Sequence, residues 1–284
     1  MIGRVRRSAD VVDPEQTRQE ILAGRRPDGS APPLRAVRGL DVSRDDSAGF
    51  PVWTVALSGT DPDRSVLYLH GGGYVGEIDA YHWRYVASLA RRLGVRVVLP
   101  SYPLAPEHTW RDALPPLVDL FEQTAIASPR GVVLMGDSAG GGLALALAQQ
   151  VVRRPGPQPT SLVLLSPWVD LTSQTAGTAE AARRDPWLRL SKMDLYARWW
   201  AGEDDLSRAE VSPLHGTMAG LPPVLVFCGT LDTLWPQVAA FVREARSAGV
   251  PVTYHEERDL LHVYPILPVP EAATAMEHLV TWLR

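Results

Sequence analysis

The chain has 284 residues, 45% of them hydrophobic and 21% charged, and a formal net charge of −4. That length suits one large α/β domain, and a slightly acidic chain without a Lys/Arg-rich run gives no electrostatic case for binding nucleic acid. No apolar stretch approaches the ~18 residues of a membrane span, and no apolar core follows Arg4, Arg6 and Arg7, so a cytoplasmic protein with no membrane partner is expected.

Residues 1–30 are polar, with one helical candidate at 14–23 led by Asp13 as an N-cap. Two strands are predicted over 34–41 and 50–57, joined by the polar turn Arg44-Asp-Asp-Ser47. A short buried strand at 66–69 runs into His70-Gly-Gly-Gly-Tyr74, and a helix over 81–93 stops at Gly94. Another buried strand spans 96–99. The segment 110–127 reads as helical from about Leu117, after Pro115-Pro116. The apolar run at 132–135 reads as a strand, and 140–152, dense in Ala and Leu, as a helix. A further strand follows at 161–165.

From Asp170 to about Leu214 this alternation stops. The stretch is charged and Trp-rich, with a helical run at 192–201, and reads as an insertion. Alternation resumes with a strand at 224–227, a helix at 236–248, a strand at 252–256 and a closing helix at 271–283. Cys228, the one cysteine, ends an apolar run and reads as a small core residue. Repeated β-then-α units with continuous apolar strands predict an α/β fold, a mostly parallel sheet covered on both faces.

Parallel sheets place their sites at the carboxyl ends of strands, and three segments there carry chemistry. Gly136-x-Ser138-x-Gly140 lies between a strand and a helix. A turn that tight strains its apex residue and needs small neighbours two positions away, as in a nucleophile elbow. Three glycines at 71–73 let backbone N–H groups approach a ligand closely. Asp232 closes Gly229-Thr-Leu-Asp232, directly after a buried strand.

The ordered set His70-Gly-Gly-Gly-Tyr74, Tyr102-x-Leu-Ala-Pro-Glu-His108, Gly136-Asp-Ser-Ala-Gly-Gly141, Ser166-Pro-Trp-x-Asp-Leu171 and Gly229-x-x-Asp232 resembles the hormone-sensitive-lipase-type esterases of the α/β-hydrolase superfamily. The match runs from about Val66 to His262. It implies a single α/β-hydrolase domain over 1–284, with cap segments at about 1–40 and 170–214. It also implies a triad in the order Ser, Asp, His. Ser138 is then the nucleophile and Asp232 the acid, with Asp259 and Asp205 as rivals that follow no buried strand. His262, after the strand at 252–256 and before the last helix, is the expected base, and His255 its main rival. By carry-over, the N–H groups of Gly71, Gly72 and Ala139 form the oxyanion hole, and Asp137, Glu107 and Asp170 hold loops by hydrogen bonds. Thr233 and Pro236 stand where the family often has Pro and a second Asp after the acid, which puts that supporting network in doubt. Tyr74, Trp83 and Trp168 are candidate pocket walls, with Trp187, Trp199 and Trp200 beside them.

The implied function is hydrolysis of small, short-acyl carboxylic esters through an acyl-enzyme, without metal or organic cofactor. The base is expected to titrate near or below neutrality. An amidase or deacetylase, or a lactone hydrolase, would use the same triad, and a catalytically silent small-molecule receptor would use the same fold. The last strand should form a sheet edge, and with the closing helix it suggests a homodimer.

Overall fold

The computed structural model describes residues 12–26 and 31–284. Arg4, Arg6 and Arg7 and part of the N-terminal cap segment lie outside the described residues. The short apolar runs of the sequence become the middle of an eight-stranded sheet. Its strands are β1 (Leu40–Asp45), β2 (Val52–Leu57), β3 (Ser65–Leu69), β4 (Arg96–Pro100), β5 (Val132–Asp137), β6 (Ser161–Leu165), β7 (Val224–Gly229) and β8 (Val252–Glu257). Their spatial order is β1-β2-β4-β3-β5-β6-β7-β8. β2 pairs antiparallel with β1 and β4, and every other pairing is parallel. Every residue of β3, β5, β6 and β7 is buried, as a sheet covered on both faces requires.

The covering helices are α1 (Pro14–Gly24), α2 (Ala80–Leu93), α3 (Trp110–Ile126), α4 (Ser138–Val151), α5 (Thr178–Arg184), α6 (Leu190–Ala201), α7 (Trp235–Ser247) and α8 (Pro270–Leu283). Strand alternation sorts the core into two layers. Leu67, Leu134, Leu164 and Val226 meet α3, α4 and α7 on one face. Val66, Val133, Val163 and Leu225 meet α2 and α8 on the other. α4 is buried along nearly its whole length, which its Gly and Ala content permits by letting neighbouring backbones approach.

Two elements differ from the sequence reading. The first strand starts at Leu40, not residue 34. Residues 34–39 are a run of turns instead, held by Ala36 N–H to Pro33 O and by the Arg91 guanidinium on the carbonyls of Ala36 and Arg38. α3 starts at Trp110, not near Leu117. Thr109 caps it: its Oγ1 accepts from Arg111 N–H, and Asp112 Oδ2 accepts from Thr109 N–H at 2.8 Å. The helix thus tolerates Pro115 and Pro116 in its second turn, where they forgo two backbone bonds, because Trp110, Ala113, Leu114, Leu117 and Val118 are buried along it.

The N-terminal helix is capped as expected, with Asp13 Oδ1 accepting from Glu15 N–H and Gln16 N–H. Just past it, the Arg25 guanidinium donates to the carbonyls of Val75 and Ala105 and pairs with Glu107, tying this segment to the loop after the glycine run. The insertion supplies α5 and α6. Trp200 of α6 is fully buried and stacks on Tyr74 with ring centroids 4.2 Å apart, so the insertion packs onto the body of the sheet. β8 is one of the sheet's two edge strands, β1 being the other, with Pro251 just before it. No helix among the described residues is long and apolar enough to cross a membrane.

Candidate active site

The carboxyl ends of β3, β5 and β7 converge on one cavity. β5 ends at Asp137 and α4 begins at Ser138 with no intervening loop, which forces Ser138 to φ +51°. For a non-glycine residue this is a strained conformation. Glycine on either side is obligatory. A Cβ on Gly140 would stand 2.1 Å from Leu69 O, and one on Gly136 would stand 2.3 Å from Gly140 O.

Ser138, Asp232 and His262 come together, although 94 residues separate the first two and 30 the last two. His262 Nε2 lies 2.8 Å from Ser138 Oγ, and His262 Nδ1 lies 2.8 Å from Asp232 Oδ2. Asp232 is fully buried and His262 nearly so. Asp232 Oδ1 also accepts from Leu234 N–H, which fixes the carboxylate from its other side. The residue after the base, Val263, is held at φ +48° and donates its N–H to Ser166 Oγ. This strained, anchored turn sets the direction of the imidazole.

Burial works against a charged His262, but the Asp232 carboxylate and its hydrogen bond, with Asp185 and Asp137 further away, more than offset it. The imidazole is therefore held above its ordinary 6.5. A hydroxyl, an imidazole and a carboxylate in this order can remove a proton from the hydroxyl and stabilise the resulting imidazolium.

The rivals lie elsewhere. Asp205 accepts from Ser207 at the surface, and Asp259 is exposed beside Arg258. His255 is stacked between Phe227 and His278. His108 lies beside Asp112, and His215 lies 3.5 Å from Asp170. His70 is buried behind the glycine loop, where burial and the neighbouring His82 push it down to about 4 and keep it neutral.

The glycine loop corrects one expectation. Gly71 N–H donates to Asp137 Oδ1 at 3.0 Å, so it is committed and turned away from the cavity. Gly72 and Gly73 line the cavity with Ser138. Their N–H groups meet no protein acceptor among the described residues. Ala139 lies in the first turn of α4, where backbone N–H groups have no intrahelical partner. The uncommitted loop N–H groups at the cavity are therefore those of Gly72 and Gly73, one residue further along the loop than expected.

The cavity measures about 510 Å³. Its walls are Trp168 from the body, Trp187, Leu188, Met193 and Tyr196 from the insertion, and Ile266 and Leu267 beyond the base. Arg189 and Lys192, the latter exposed, stand at its rim and have no carboxylate within 4 Å among the described residues. Tyr74 and Trp83, expected as walls, do not line it. Tyr74 is buried between Trp200 and Trp168, and Trp83 packs edge-on against Trp53 on the opposite face of the sheet. Trp199 stacks on Tyr196 behind the wall. No group of three or more His, Cys, Asp or Glu side chains able to hold a metal ion occurs among the described residues.

The polar residues around the site hold loops. Asp170 accepts from both the N–H and the hydroxyl of Thr172 and of Thr175. Asp185 of the insertion accepts from Thr233 N–H and Thr233 Oγ1, both at 2.8 Å, and from the N–H groups of Trp187 and Leu188. Thr233 is thus part of a different support for the acid loop from the one whose absence the sequence raised. Nothing in the linear sequence marked Asp185 as its partner, since it lies 48 residues away in a stretch without motif.

Residues 66–266 match the sequence model of a family described as having the alpha/beta hydrolase fold. An acetyl-hydrolase of Streptomyces hygroscopicus is 33% identical over 229 residues, covering 78% of this chain and 75% of its own. A triacylglycerol lipase of Mycobacterium tuberculosis is 32% identical over 231 residues, 80% of this chain but only 48% of that longer protein. A crystal structure of an esterase from the bacterial hormone-sensitive lipase family superposes with a TM-score of 0.81 at 30% identity, over 87% of this chain and 84% of that one. With the sheet order and the Ser138–His262–Asp232 arrangement, these likenesses lead to one conclusion: the chain belongs to the α/β-hydrolase fold family, in its hormone-sensitive-lipase-type esterase branch.

Proposed function

We propose that this carboxylic-ester hydrolase works through Ser138 as nucleophile, His262 as general base and acid, and Asp232 as the acid that orients the imidazole. The observation that carries the reading is the unbroken chain Ser138 Oγ–His262 Nε2 and His262 Nδ1–Asp232 Oδ2, each link 2.8 Å. Ser138 Oγ attacks the ester carbonyl as its proton passes to His262. The carbonyl oxygen becomes an oxyanion facing the N–H groups of Gly72, Gly73 and Ala139. The C–O bond to the alcohol breaks, and His262 returns the proton to the departing oxygen, leaving an acyl-Ser138. Water deprotonated by His262 then attacks the acyl carbon and releases the acid and free Ser138.

Residues 170–214, with the described part of the N-terminal segment, act as the cap over this site. Trp187, Leu188, Met193 and Tyr196 bound a mostly apolar space of about 510 Å³, which suits short acyl groups of about two to six carbons better than long chains. The edge strand β8 and the neighbouring α8 form the contact of a two-fold homodimer: the strand leaves one side unpaired, and Trp282 Nε1–H bonds Thr253 Oγ1 across the two elements.

A series of p-nitrophenyl esters of rising chain length, with the p-nitroanilide counterpart, tests the reading on wild type and Ser138→Ala. Loss of turnover in the variant and a single label on Ser138 from an organophosphonate are expected. Normal turnover in the variant, or labelling at another serine, refutes the mechanism.

A further inference from the structure

Behind the glycine loop lies a buried charged cluster that the triad does not use. Asp137, one residue before the nucleophile, is only 2% exposed. Its Oδ1 accepts from Tyr68 Oη at 2.7 Å and from Gly71 N–H at 3.0 Å. Its Oδ2 lies 3.5 Å from His82 Nε2. His82, in the first turn of α2, is 5% exposed and lines the same cavity as Ser138. Its Nδ1 is 3.0 Å from both the carboxylate and the backbone N of Asp79, the N-cap of α2. A protonated ring donates to that carboxylate, and a neutral ring accepts from that N–H. The other titratable group facing His82 is His70, at the end of β3, with ring centroids 5.7 Å apart.

A carboxylate buried beside the nucleophile poses an electrostatic problem. Asp137 is needed where it is, because its oxygen turns Gly71 N–H inward and so leaves Gly72 and Gly73 facing Ser138. Yet a bare negative charge in a low-dielectric site beside Ser138 opposes the negative charge that develops on the substrate oxygen. His82 is the only imidazole among the described residues in contact with both carboxylates, the buried Asp137 and the exposed Asp79. We propose that His82, as an imidazolium, is the positioning and counter-charge residue of the ester hydrolysis: it neutralises Asp137, so that the carboxylate clamps the glycine loop without repelling the oxyanion. Burial works against the charged ring, but Asp137 and Asp79 more than offset that and hold it up to about 10, so His82 keeps its proton through the range in which His262 must lose one. Asp137 is correspondingly held below the ordinary carboxylate range: burial opposes its charge, and His82 and Tyr68 overcome that.

This inference rests on the triad reading above, and its test separates the two. The variants are Ser138→Ala, His82→Gln and the double His82→Gln/Asp137→Asn. In the double, an amide oxygen at 137 can still accept from Tyr68 and Gly71 while the charge pair is gone. Each is assayed for kcat and KM on p-nitrophenyl butyrate, and the His82 variants for inhibition by phenylboronic acid. That probe forms a bond from Ser138 Oγ to boron, with the hydroxyl proton passing to His262, and becomes a tetrahedral anion resembling the oxyanion state.

His82→Gln is expected to lower kcat about 100-fold, the size of losing one oxyanion donor, with KM changed less than about threefold. Its inhibition constant for the boronic acid should rise by a similar factor, and the double variant should recover at least about tenfold in kcat over His82→Gln. A merely structural role would move KM or the melting temperature, with no recovery in the double. A loss below tenfold in His82→Gln, or a double no better than the single, overturns the proposal. Should His82→Gln fail to fold, the double decides: kcat within tenfold of wild type supports the counter-charge role, and a hundredfold loss overturns it. Full activity in Ser138→Ala would overturn the triad and this inference together, whereas an inactive Ser138→Ala beside a normal His82→Gln overturns this inference alone.

Discussion

Asp185 lends itself to a quantitative test because all four hydrogen bonds of its carboxylate are assigned. Two reach Thr233, which is buried next to the acid Asp232, and two close the turn at Trp187 and Leu188. In Asp185→Ala the turn donors, lying near the exposed Trp187, can turn to water, but the Thr233 N–H and hydroxyl remain buried and unpaired. Hydrogen bonds to a charged group contribute about 1.5–3 kcal/mol each, so losing the Thr233 pair costs about 3 kcal/mol or somewhat more. For a chain of this size that is a fall in Tm of roughly 6–12 °C. The acid loop is displaced with it, and kcat/KM on p-nitrophenyl butyrate should drop about tenfold or more well below the melting range. Asp185 also helps hold His262 above its usual value. Asp185→Asn, which removes the charge and keeps the shape, should therefore move the acid limb of the pH–rate profile to lower pH. A Tm within 2 °C of wild type together with kcat/KM within about threefold in Asp185→Ala would refute the reasoning.

Four further outcomes are expected. Activity should rise with pH through an ionisation above 6.5, since His262 must be neutral to act as base and its carboxylate partners raise its pKa; a pH–rate profile with its limb below 6.5 would contradict this. Because His82 gains protons on folding, its contribution to stability is fully present below pH 6.5 and is lost as pH rises through about 10; melting curves of wild type should show that loss, and those of the double variant at 82 and 137 should not. Gly140→Ala puts a methyl against the backbone oxygens of Leu69 and His70, which cannot move aside, so it should yield inactive protein by expression and activity assay, while Gly24→Ala, where nothing is within 4 Å and φ is not positive, should stay active. Light scattering at micromolar concentration should give twice the 31.1 kDa of one chain, and Thr253→Pro should halve it while small-ester hydrolysis persists; a mass of one chain in the wild type would remove the dimer.

The parts legible in the sequence were those whose physics is local. Strands buried on both faces announce themselves as unbroken apolar runs, and β3 to β7 lie within one or two residues of where those runs stand. The elbow was legible because a strand that passes directly into a helix through Ser138 leaves room for nothing but glycine at 136 and 140. Where a competing local signal was stronger than the true one, the reading slipped. Pro115-Pro116 hid the start of α3 because the Thr109–Asp112 cap that outweighs them is equally short-range but less conspicuous. The glycine loop was read one residue early because the choice between Gly71 and Gly73 depends on the Asp137 carboxylate, reached only through the sheet. Asp185, His82 and the inward face of the cap were illegible for the same reason: their partners lie across the fold, and no periodicity records such a contact. Tyr74 and Trp83 show the converse error, since aromatic bulk near a motif signals packing as readily as a wall.

The solitary lysine of the chain stands at the rim of the cavity on α6, exposed and without a carboxylate partner among the described residues. Reagents that acylate amines will therefore find, apart from any α-amine, a single address, and it is the doorway. A fluorophore coupled there reports on what enters the cavity. Coupled through the same group to a resin or a sensor chip, the protein is fastened mouth-down and measured activity falls for reasons of access alone. Immobilisation through a cysteine introduced on the far side of the sheet avoids this.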